Sequence, residues 1–470
     1  MKEKNLAYEV PEQSLIKNPH FSDSVMFGAS SSAYQIEGSV GIDGRGLSSW
    51  DVFSHKRKKI ANSDNGDVAA DHYNLYKDDI VLMNRMSLDS YKFSISWPRI
   101  FSKGFGSVNQ SGLDFYDRLV DELLNAEIRP FVSLFHWDFP YTLAKKKCGF
   151  DKRQAAYYFA DYADVVVNKL GDRVKDWFTF EQPFLYSTMG YLLGQYPPSK
   201  KNPLLWIRCV HNQLLAHGLA MERIKAYDKV MRVGMNINYW PIKPATKASV
   251  DLGAVDLADQ FLNRVFLEPL FKGKYPEKVL SRMSLIWSKF PEGDLDIISK
   301  PVSFLGININ TGVSAGFAPW IPFLGLKIKR NRIPSSEYIK NGKRYNALGH
   351  EVNSESVYNA MTCINRDYGN IPLYVSVSGA NFTDNFVENR IPDEARLHYL
   401  SMYLEQAAHA AEEGCELRGC FIDPFLDGFE WRNGYSKRSG LVYVDFETQK
   451  RTIKDSGYWY RDIIRMNRAD

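Results

Sequence analysis

Cysteine is scarce in this chain of 470 residues, which contains only five. They are Cys148, Cys209, Cys363, Cys415 and Cys420, an odd number of widely separated positions with no Cys-x-x-Cys pair. Structural zinc sites and disulfide scaffolds both depend on closely spaced cysteines, so the sequence indicates neither. We therefore expect no bound metal ion and no cofactor.

The sequence also lacks a long apolar run and an excess of one charge. No run of about 18 apolar residues occurs, so no membrane span or membrane partner is expected. The 59 Lys and Arg and the 55 Asp and Glu leave a formal charge of +4, whereas nucleic-acid partners require a concentrated basic surface. The first residues lack the apolar core of a signal peptide, which makes a cytoplasmic protein the default expectation. If the chain shown is already processed, we expect a secreted protein instead.

Short apolar runs alternate with longer amphipathic segments along the chain. Eight runs rich in Phe, Val, Ile and Tyr predict strands buried on both faces: 26–36, 90–96, 129–136, 177–182, 232–240, 304–310, 373–379 and 417–425. Segments with helical periodicity lie between and after them: 71–86, 111–126, 151–170, 204–227, 251–270, 354–368, 393–413 and 454–466. Eight strand–helix units predict one α/β domain over residues 1–470, a single (β/α)8 TIM barrel.

Two segments fall outside this repeating order. Residues 1–24 precede the first predicted strand as an N-terminal extension. Residues 311–353, rich in Gly, Pro, Lys, Arg and Asn, are expected to form a long irregular loop after the sixth strand. Loops of this length in barrels are often elaborated around the functional site.

Chemically versatile side chains occur where the predicted strands end. In (β/α)8 barrels the active site lies at the carboxyl ends of the strands. Those ends carry Gln35, Lys92, His136, Trp137, Glu181, Gln182, Asn308, Asn310, Asp423, Glu430 and Trp431. Aromatic rings can stack on the C–H face of a sugar, while Gln, His and Glu can bind its hydroxyl groups. The mixture predicts a site for a polyol.

Several long motifs resemble the family 1 glycoside hydrolases, the β-glucosidase-type family. They include FGASSSAYQIEGSVGIDGRGLSSWDVFSH (27–55), YKFSISWPRI (91–100), LFHWDFP (134–140) and FLDGFEWRNGYSKRSGLVYVDF (425–446). The resemblance covers nearly the whole chain and implies a single (β/α)8 barrel, in agreement with the strand count. It also implies retaining chemistry, in which one carboxyl group protonates the leaving group and another attacks the sugar.

The two positions that carry the catalytic carboxyl groups in the resembled family hold other residues here. The family's Thr-hydrophobic-Asn-Glu-Pro is TFEQP at 179–183, which places Gln182 at the acid/base position. The family's Ile/Val-Thr-Glu-Asn-Gly is VSVSG at 375–379, which places Val377 at the nucleophile position. Glutamine cannot act as an acid, and valine has no lone pair with which to form a glycosyl-enzyme. The resemblance therefore implies a degenerate member that lacks both catalytic glutamates.

Further departures surround the nucleophile position. Lys92 stands where the family has the Arg that orients the nucleophile, and Asp423 stands where it has a Trp. The family's Asn-Tyr-Tyr is Asn308–Asn310, without the Tyr that bonds the nucleophile. The outer sugar-binding positions nevertheless match the family: Gln35, His136, Trp137, Glu430 and Trp431. Because the substitutions are concentrated at the catalytic positions and their neighbours, we infer that the pocket has been adapted to another role.

Relative to the resembled family, the number of carboxylates at these positions is unchanged. Two carboxylates are missing, and Glu181 and Asp423 are two that the family lacks there. A buried lysine without a partner tends to lose its proton. We therefore predict an ion pair or a shared hydrogen-bond network that links Lys92 with Glu181 or Asp423.

Three functions remain open on the sequence. The first is a pseudoenzyme that binds a sugar-bearing or flat polar–apolar ligand in the former active site without turnover. The second is an active O-glycosyl hydrolase with an altered mechanism that uses Glu181 or Asp423. The third is a structural, storage or pigment-type ligand-binding protein. In each, the expected partner is a small molecule, either a glycoside or an apolar aromatic compound.

Overall fold

The computed structural model describes residues 18–282, 290–309, 312–330, 332–333, 339–340, 343–378 and 381–468. Within these ranges, no helix is both long enough and apolar enough to cross a membrane. Residues 1–17 of the predicted N-terminal extension lie outside the described residues, and residues 18–24 lead into the first strand.

Eight parallel strands close into a barrel. They are β1 (Met26–Ser31), β2 (Ser90–Ser94), β3 (Arg129–Ser133), β4 (Asp176–Glu181), β5 (Arg232–Asn238), β6 (Phe304–Ile309), β7 (Leu373–Ser378) and β8 (Leu417–Asp423). Neighbours in the chain are neighbours in the barrel, and β8 pairs with β1 through Met26 and Gly419 to close it. Nearly every strand residue is buried, as expected of a parallel sheet covered by helices. The prediction of a single (β/α)8 barrel is confirmed.

One principal helix follows each strand. These helices are α1 (His72–Arg85), α2 (Gln110–Asn125), α3 (Gln154–Leu170), α4 (Pro203–Tyr227), α5 (Ser249–Asp259), α6 (Glu355–Tyr368), α7 (Glu394–Glu412) and α8 (Asp455–Met466). A π-helical turn, Gln260–Arg264, joins α5 to a further helix, Val265–Lys272. The largest discrepancy with the predicted segments concerns the first strand, which ends at Ser31. Residues Ala33–Ile36 form a helical turn instead, and this turn carries Gln35 into the barrel mouth.

Shorter elements fill the loops. The short helical segments are Ala33–Ile36, Ile42–Gly44, Ser49–Ser54, Ala61–Ser63, Trp97–Ile100, Tyr141–Lys145, Pro183–Ser187, Thr188–Leu192, Glu277–Ser281, Asp294–Ile298 and Trp431–Asn433. The short strands are Ile242–Pro244, Val313–Phe317, Leu326–Arg330, Ile339–Lys340, Lys343–Arg344, Val442–Val444 and Arg451–Ile453.

The segment 311–353 is more regular than the expected loop. Val313–Phe317 pairs antiparallel with Leu326–Arg330 and parallel with Ile242–Pro244, which gives a three-stranded sheet. Exposure alternates along the strand Leu326–Arg330, with its lysines exposed and the other side chains at least partly buried. This two-residue period is that of a strand with one covered face, and the abundance of Gly, Pro and Asn around it concealed the pattern.

The interior of the barrel is filled by an aromatic cluster. Phe131, Phe178, Phe304, Tyr374 and Phe421 pack against one another, and each is at most 3% exposed. Their ring centroids lie 4.9 to 6.4 Å apart, mostly in edge-to-face arrangements. The cluster forms a rigid floor beneath the carboxyl ends of the strands.

Candidate ligand-binding cleft

A cleft with a cavity volume of about 290 Å³ opens at the carboxyl end of the barrel. Eight of the residues predicted from the sequence line it: Gln35, His136, Trp137, Gln182, Asn308, Asp423, Glu430 and Trp431. Lys92 and Glu181 lie deeper, where they line a narrower void together with His136 and Asp423. The predicted Asn310 lies outside the described residues.

Lys92 forms a buried ion pair between the aromatic floor and the cleft. Its Nζ lies 3.3 Å from Oε1 of Glu181, and each side chain is at most 4% exposed. Nζ also donates to Ser376 Oγ at 3.1 Å. It lies 5.1 Å from the ring centroid of Phe178 and 5.6 Å from that of Phe421. Of the two partners predicted for Lys92, Glu181 and Asp423, the structure pairs it with Glu181.

The Glu181 carboxylate has further partners on both oxygens. Ser133 Oγ donates to Oε1 at 2.5 Å, and Asn236 Nδ2 donates to Oε2. The backbone carbonyl of Glu181 accepts from Trp137 Nε1 at 3.0 Å. The carboxylate is thus held at the end of β4 by an ammonium, a hydroxyl and an amide.

Asp423 presents a carboxylate to the cleft at the end of β8. It is partly exposed, and Ser30 Oγ donates to its Oδ1 at 2.8 Å. Within the described residues, this is the one hydrogen bond from another side chain to the Asp423 carboxylate. Unlike Glu181, Asp423 therefore keeps an oxygen for a ligand.

Gln182 lies at the cleft in a backbone conformation that residues other than glycine rarely adopt. Its φ of 49° and ψ of 55° are left-handed, a region that few non-glycine residues occupy. Its backbone N–H donates to the Asn236 carbonyl at 2.7 Å, and it precedes the helix Pro183–Ser187. The backbone thereby fixes where the Gln182 amide enters the cleft.

Val377 is directed away from the cleft. Side chains alternate along a strand, and Ser376 faces the barrel interior because it accepts from Lys92. Val377 therefore faces the outer, helical layer, where it is 1% exposed and in register with Ile309 and Ile422. Among the described residues, the cleft is lined on β7 by Ser378 and not by Val377.

An aromatic wall forms one side of the cleft. The centroid of Trp431 lies 4.5 Å from that of Trp137 and 4.7 Å from that of Trp50. Tyr196 extends the wall, with its centroid 5.6 Å from that of Trp137. Trp137 and Trp431 both have positive φ, at 73° and 46°. Such backbone strain is typical of functional sites, and here it accompanies two rings that face a ligand space.

Glu430 is a cleft carboxyl group whose acidity is altered by its surroundings. Burial raises its pKa to about 7, and the charges of Asp423 and Asp427 act in the same direction. The hydrogen bond from Ser439 Oγ to Glu430 Oε1, 2.6 Å long, opposes the shift. Near neutral pH, Glu430 can therefore both donate and accept hydrogen bonds.

Three neutral groups complete the polar lining. Burial lowers the pKa of His136 to about 4, so its imidazole is neutral at pH 7. Within the described chain, the buried Oδ1 of Asn308 has no hydrogen-bond partner. Gln35 is fixed by its donation to the Phe429 carbonyl at 3.0 Å and by the hydroxyl of Ser32 at 2.8 Å. These groups can exchange hydrogen bonds with hydroxyl groups without adding charge.

The sequence analysis missed the outer wall of the cleft. Tyr196, Arg330, Asn346, Leu348, His350, Glu351, Val352 and Arg432 line it. Most belong to the 311–353 segment, and its position after the sixth strand was the only signal that pointed to them. In the part of the chain that is described, no group of three or more His, Cys, Asp or Glu is placed to hold a metal ion.

Comparisons with known proteins agree with the barrel and the cleft. The family model described as glycosyl hydrolase family 1 matches residues 17–469. β-Glucosidase A of Thermotoga maritima is 38% identical over 449 residues, which cover 95% of this chain and 98% of the relative. β-Glucosidase A of Acetivibrio thermocellus is 38% identical over 450 residues, with the same coverages. Among solved structures, the family 1 β-glucosidase of Thermotoga maritima superimposes with a TM-score of 0.89 at 37% identity, over 96% of this chain and 99% of the other. That enzyme has also been solved in complex with isofagomine lactam and with deoxynojirimycin.

Proposed function

Because the chain belongs to glycosyl hydrolase family 1, we propose that it is a β-glucosidase-like protein that binds a sugar-bearing ligand in its cleft without hydrolysing it. One observation carries the proposal. Gln182 and Val377 occupy the two positions at which the family resemblance places the catalytic carboxyl groups. One side chain is an amide, and the other is an alkyl group that faces the helical layer.

Retaining hydrolysis needs two carboxyl groups about 5–5.5 Å apart on either side of the anomeric carbon. The Gln182 amide cannot protonate a leaving oxygen, and Val377 offers no atom for attack. Glu181 does not replace them, because Lys92, Ser133 and Asn236 already engage its carboxylate. The cleft thus lacks the acid and the nucleophile at the points where the reaction requires them.

The cleft retains what sugar binding requires. The rings of Trp137 and Trp431 offer apolar surface for the C–H face of a sugar. Gln35, Asn308 and Glu430 offer amide and carboxyl groups for its hydroxyls. The complexes of the Thermotoga maritima enzyme with deoxynojirimycin and isofagomine lactam support a sugar-like ligand for this cleft.

Calorimetric titration with phenyl β-D-glucoside tests the proposal. We expect saturable binding and chromatographic recovery of the intact glucoside after prolonged incubation. Gln35→Ala should weaken binding, whereas Gln110→Ala, at an exposed position of α2 where the Gln110 amide donates to Asp114, should not. Absence of binding, or release of glucose above the rate without protein, would contradict the proposal.

A second candidate is an active glycosidase with an altered mechanism, and one observation favours it. Asp423 offers a partly free carboxylate to the same cleft in which Glu430 has a pKa near 7. Glycosidases pair one carboxyl group that donates a proton to the leaving group with a second carboxyl group that attacks the sugar or activates water. Turnover of an aryl glucoside that disappears in Asp423→Asn would favour this candidate. A pigment or storage role has no such support, because polar side chains dominate the lining.

A further inference from the structure

The outer end of the cleft differs in charge from its base. Asp423 and Glu430 lie at the base, whereas Arg330 and Arg432 line the outer wall together with Glu351 and the neutral His350. The proposed binding of a neutral sugar does not use these outer groups. If Gln35, Asn308 and Glu430 hold the sugar, as proposed, these outer groups are left to contact the rest of a glycoside.

Among the described residues, Arg330 is a cation without a counter-ion. Within the described residues, no carboxylate lies at ion-pair distance from its guanidinium and none of its side-chain nitrogens makes a hydrogen bond to protein. Burial lowers the pKa of Arg330, and the neighbouring charge of Arg332 adds to the shift. Glu351 lies on the same wall and has an interaction of its own. A partly buried guanidinium without a partner loses hydration with no compensation, and an anionic ligand would supply that compensation.

Arg330 lines the cleft together with the flat ring of Tyr196. The charges of Arg330 and Arg432 both lower the pKa of Tyr196, although burial of the phenol outweighs them and raises it to about 12. The Tyr196 ring packs against Trp50 at 5.1 Å, so it is held in place. The apolar side chain of Leu348 lies on the same outer wall. A planar ring that bears a negative charge would match both features.

We propose that the outer end of the cleft binds an aromatic carboxylate, with Tyr196 against its ring and Arg330 at its carboxylate. This inference rests on the proposed function, since it assigns the substituent carried by the sugar. Arg guanidinium is planar and can bind a carboxylate through two parallel hydrogen bonds. The neutral imidazole of His350, whose pKa is lowered to about 4 by burial, adds a hydrogen-bonding group without repelling or attracting charge.

Paired titrations test the inference. The probes are 4-carboxyphenyl β-D-glucoside and its neutral isostere 4-carbamoylphenyl β-D-glucoside, measured by calorimetry at low and high salt. We expect the carboxylate to bind about tenfold more tightly at low salt, because hydrogen bonds to charged groups are stronger than neutral ones. High salt should reduce this preference.

Variants assign the preference to one residue. Arg330→Gln should abolish it while leaving the affinity for the carbamoyl ligand within about twofold, and Arg330→Lys should retain part of it. Arg223→Gln, an exposed arginine on α4 far from the cleft, is the matched control. Equal wild-type affinities for the two ligands, or a preference that survives in Arg330→Gln, would overturn the inference and leave sugar binding intact.

Free 4-hydroxybenzoate separates the two proposals. If it binds the wild type and not Arg330→Gln while neither glucoside binds, the anion site is supported and the proposed sugar binding fails. If none of the three compounds binds, both proposals are wrong.

Discussion

The buried pair of Lys92 and Glu181 should behave as one unit when it is mutated. Lys92→Met removes the ammonium and leaves a carboxylate that is 3% exposed, with Ser133 and Asn236 as the donors that the described residues still provide. Glu181→Gln leaves an ammonium that is 4% exposed, with the Ser376 hydroxyl as its remaining hydrogen-bond partner. We expect each single change to destabilise the fold far more than the double change does.

The magnitude follows from the geometry. At 3.3 Å and an effective dielectric constant of about 20, the attraction between the two charges is about 5 kcal/mol. Breaking a buried pair from one side costs about 3–5 kcal/mol, because an uncompensated charge stays buried. Replacing both charges by neutral groups of similar size is often close to neutral. Two single changes of about 3–5 kcal/mol each and a near-neutral double change correspond to a coupling energy of about 6 kcal/mol or more, above the roughly 0.5–3 kcal/mol found for most neighbouring pairs.

Urea unfolding followed by tryptophan fluorescence measures this cycle. The four proteins should share one slope against urea, and the two single variants should unfold at clearly lower urea concentrations than Lys92→Met/Glu181→Gln. Additive single effects, or single variants within about 0.5 kcal/mol of the wild type, would refute the reasoning.

Three further outcomes follow from the cleft. Gln182→Glu alone should give no hydrolysis of an aryl glucoside. Adding Val377→Glu should destabilise the fold by about 3 kcal/mol or more without restoring turnover, because it buries a carboxylate in the apolar outer layer. Efficient hydrolysis by either variant would contradict this expectation. The raised pKa of Glu430 adds stability that is fully present below its usual pKa of 4.5 and is lost as the pH rises through 7. Glu430→Gln should therefore make the melting temperature less dependent on pH between pH 5 and 8. An unchanged pH profile of the melting temperature would count against the raised pKa. Trp431→Ala should weaken glucoside binding about tenfold and remove most of the ligand-induced fluorescence change; unaltered affinity would exclude the ring from the sugar site.

The barrel could be predicted because its strands carry an unambiguous signal. Segments such as β6 and β7 are buried along nearly their whole length, and each appears in the sequence as a short, mostly apolar run between amphipathic helices. The end of the first strand could not be placed, because Ala33–Ile36 is as buried in a helical turn as it would be in a strand. Burial alone explains why these residues are apolar or small, so their identities do not show whether the backbone is helical or extended.

The centre of the site was also predictable, for an electrostatic reason. A buried lysine requires a counter-charge, and the carboxylates gained near Lys92 limited its partner to Glu181 or Asp423. The structure selects Glu181. The orientation of Val377 was not predictable from its motif, because it depends on the register of β7 relative to its neighbours. Arg330 was missed because it is one of many basic residues in a segment whose folding onto the cleft depends on tertiary contacts.

Turnover of 2,4-dinitrophenyl β-D-glucoside is the most direct test of whether the cleft binds glucosides without hydrolysing them. Its leaving group needs no proton, so Gln182 is no obstacle and the assay reports only on whether any group attacks the sugar. We expect a rate equal to that without protein, while the same sample binds phenyl β-D-glucoside saturably. Catalytic turnover that is lost in Asp423→Asn would contradict the account and show that this cleft still performs hydrolysis.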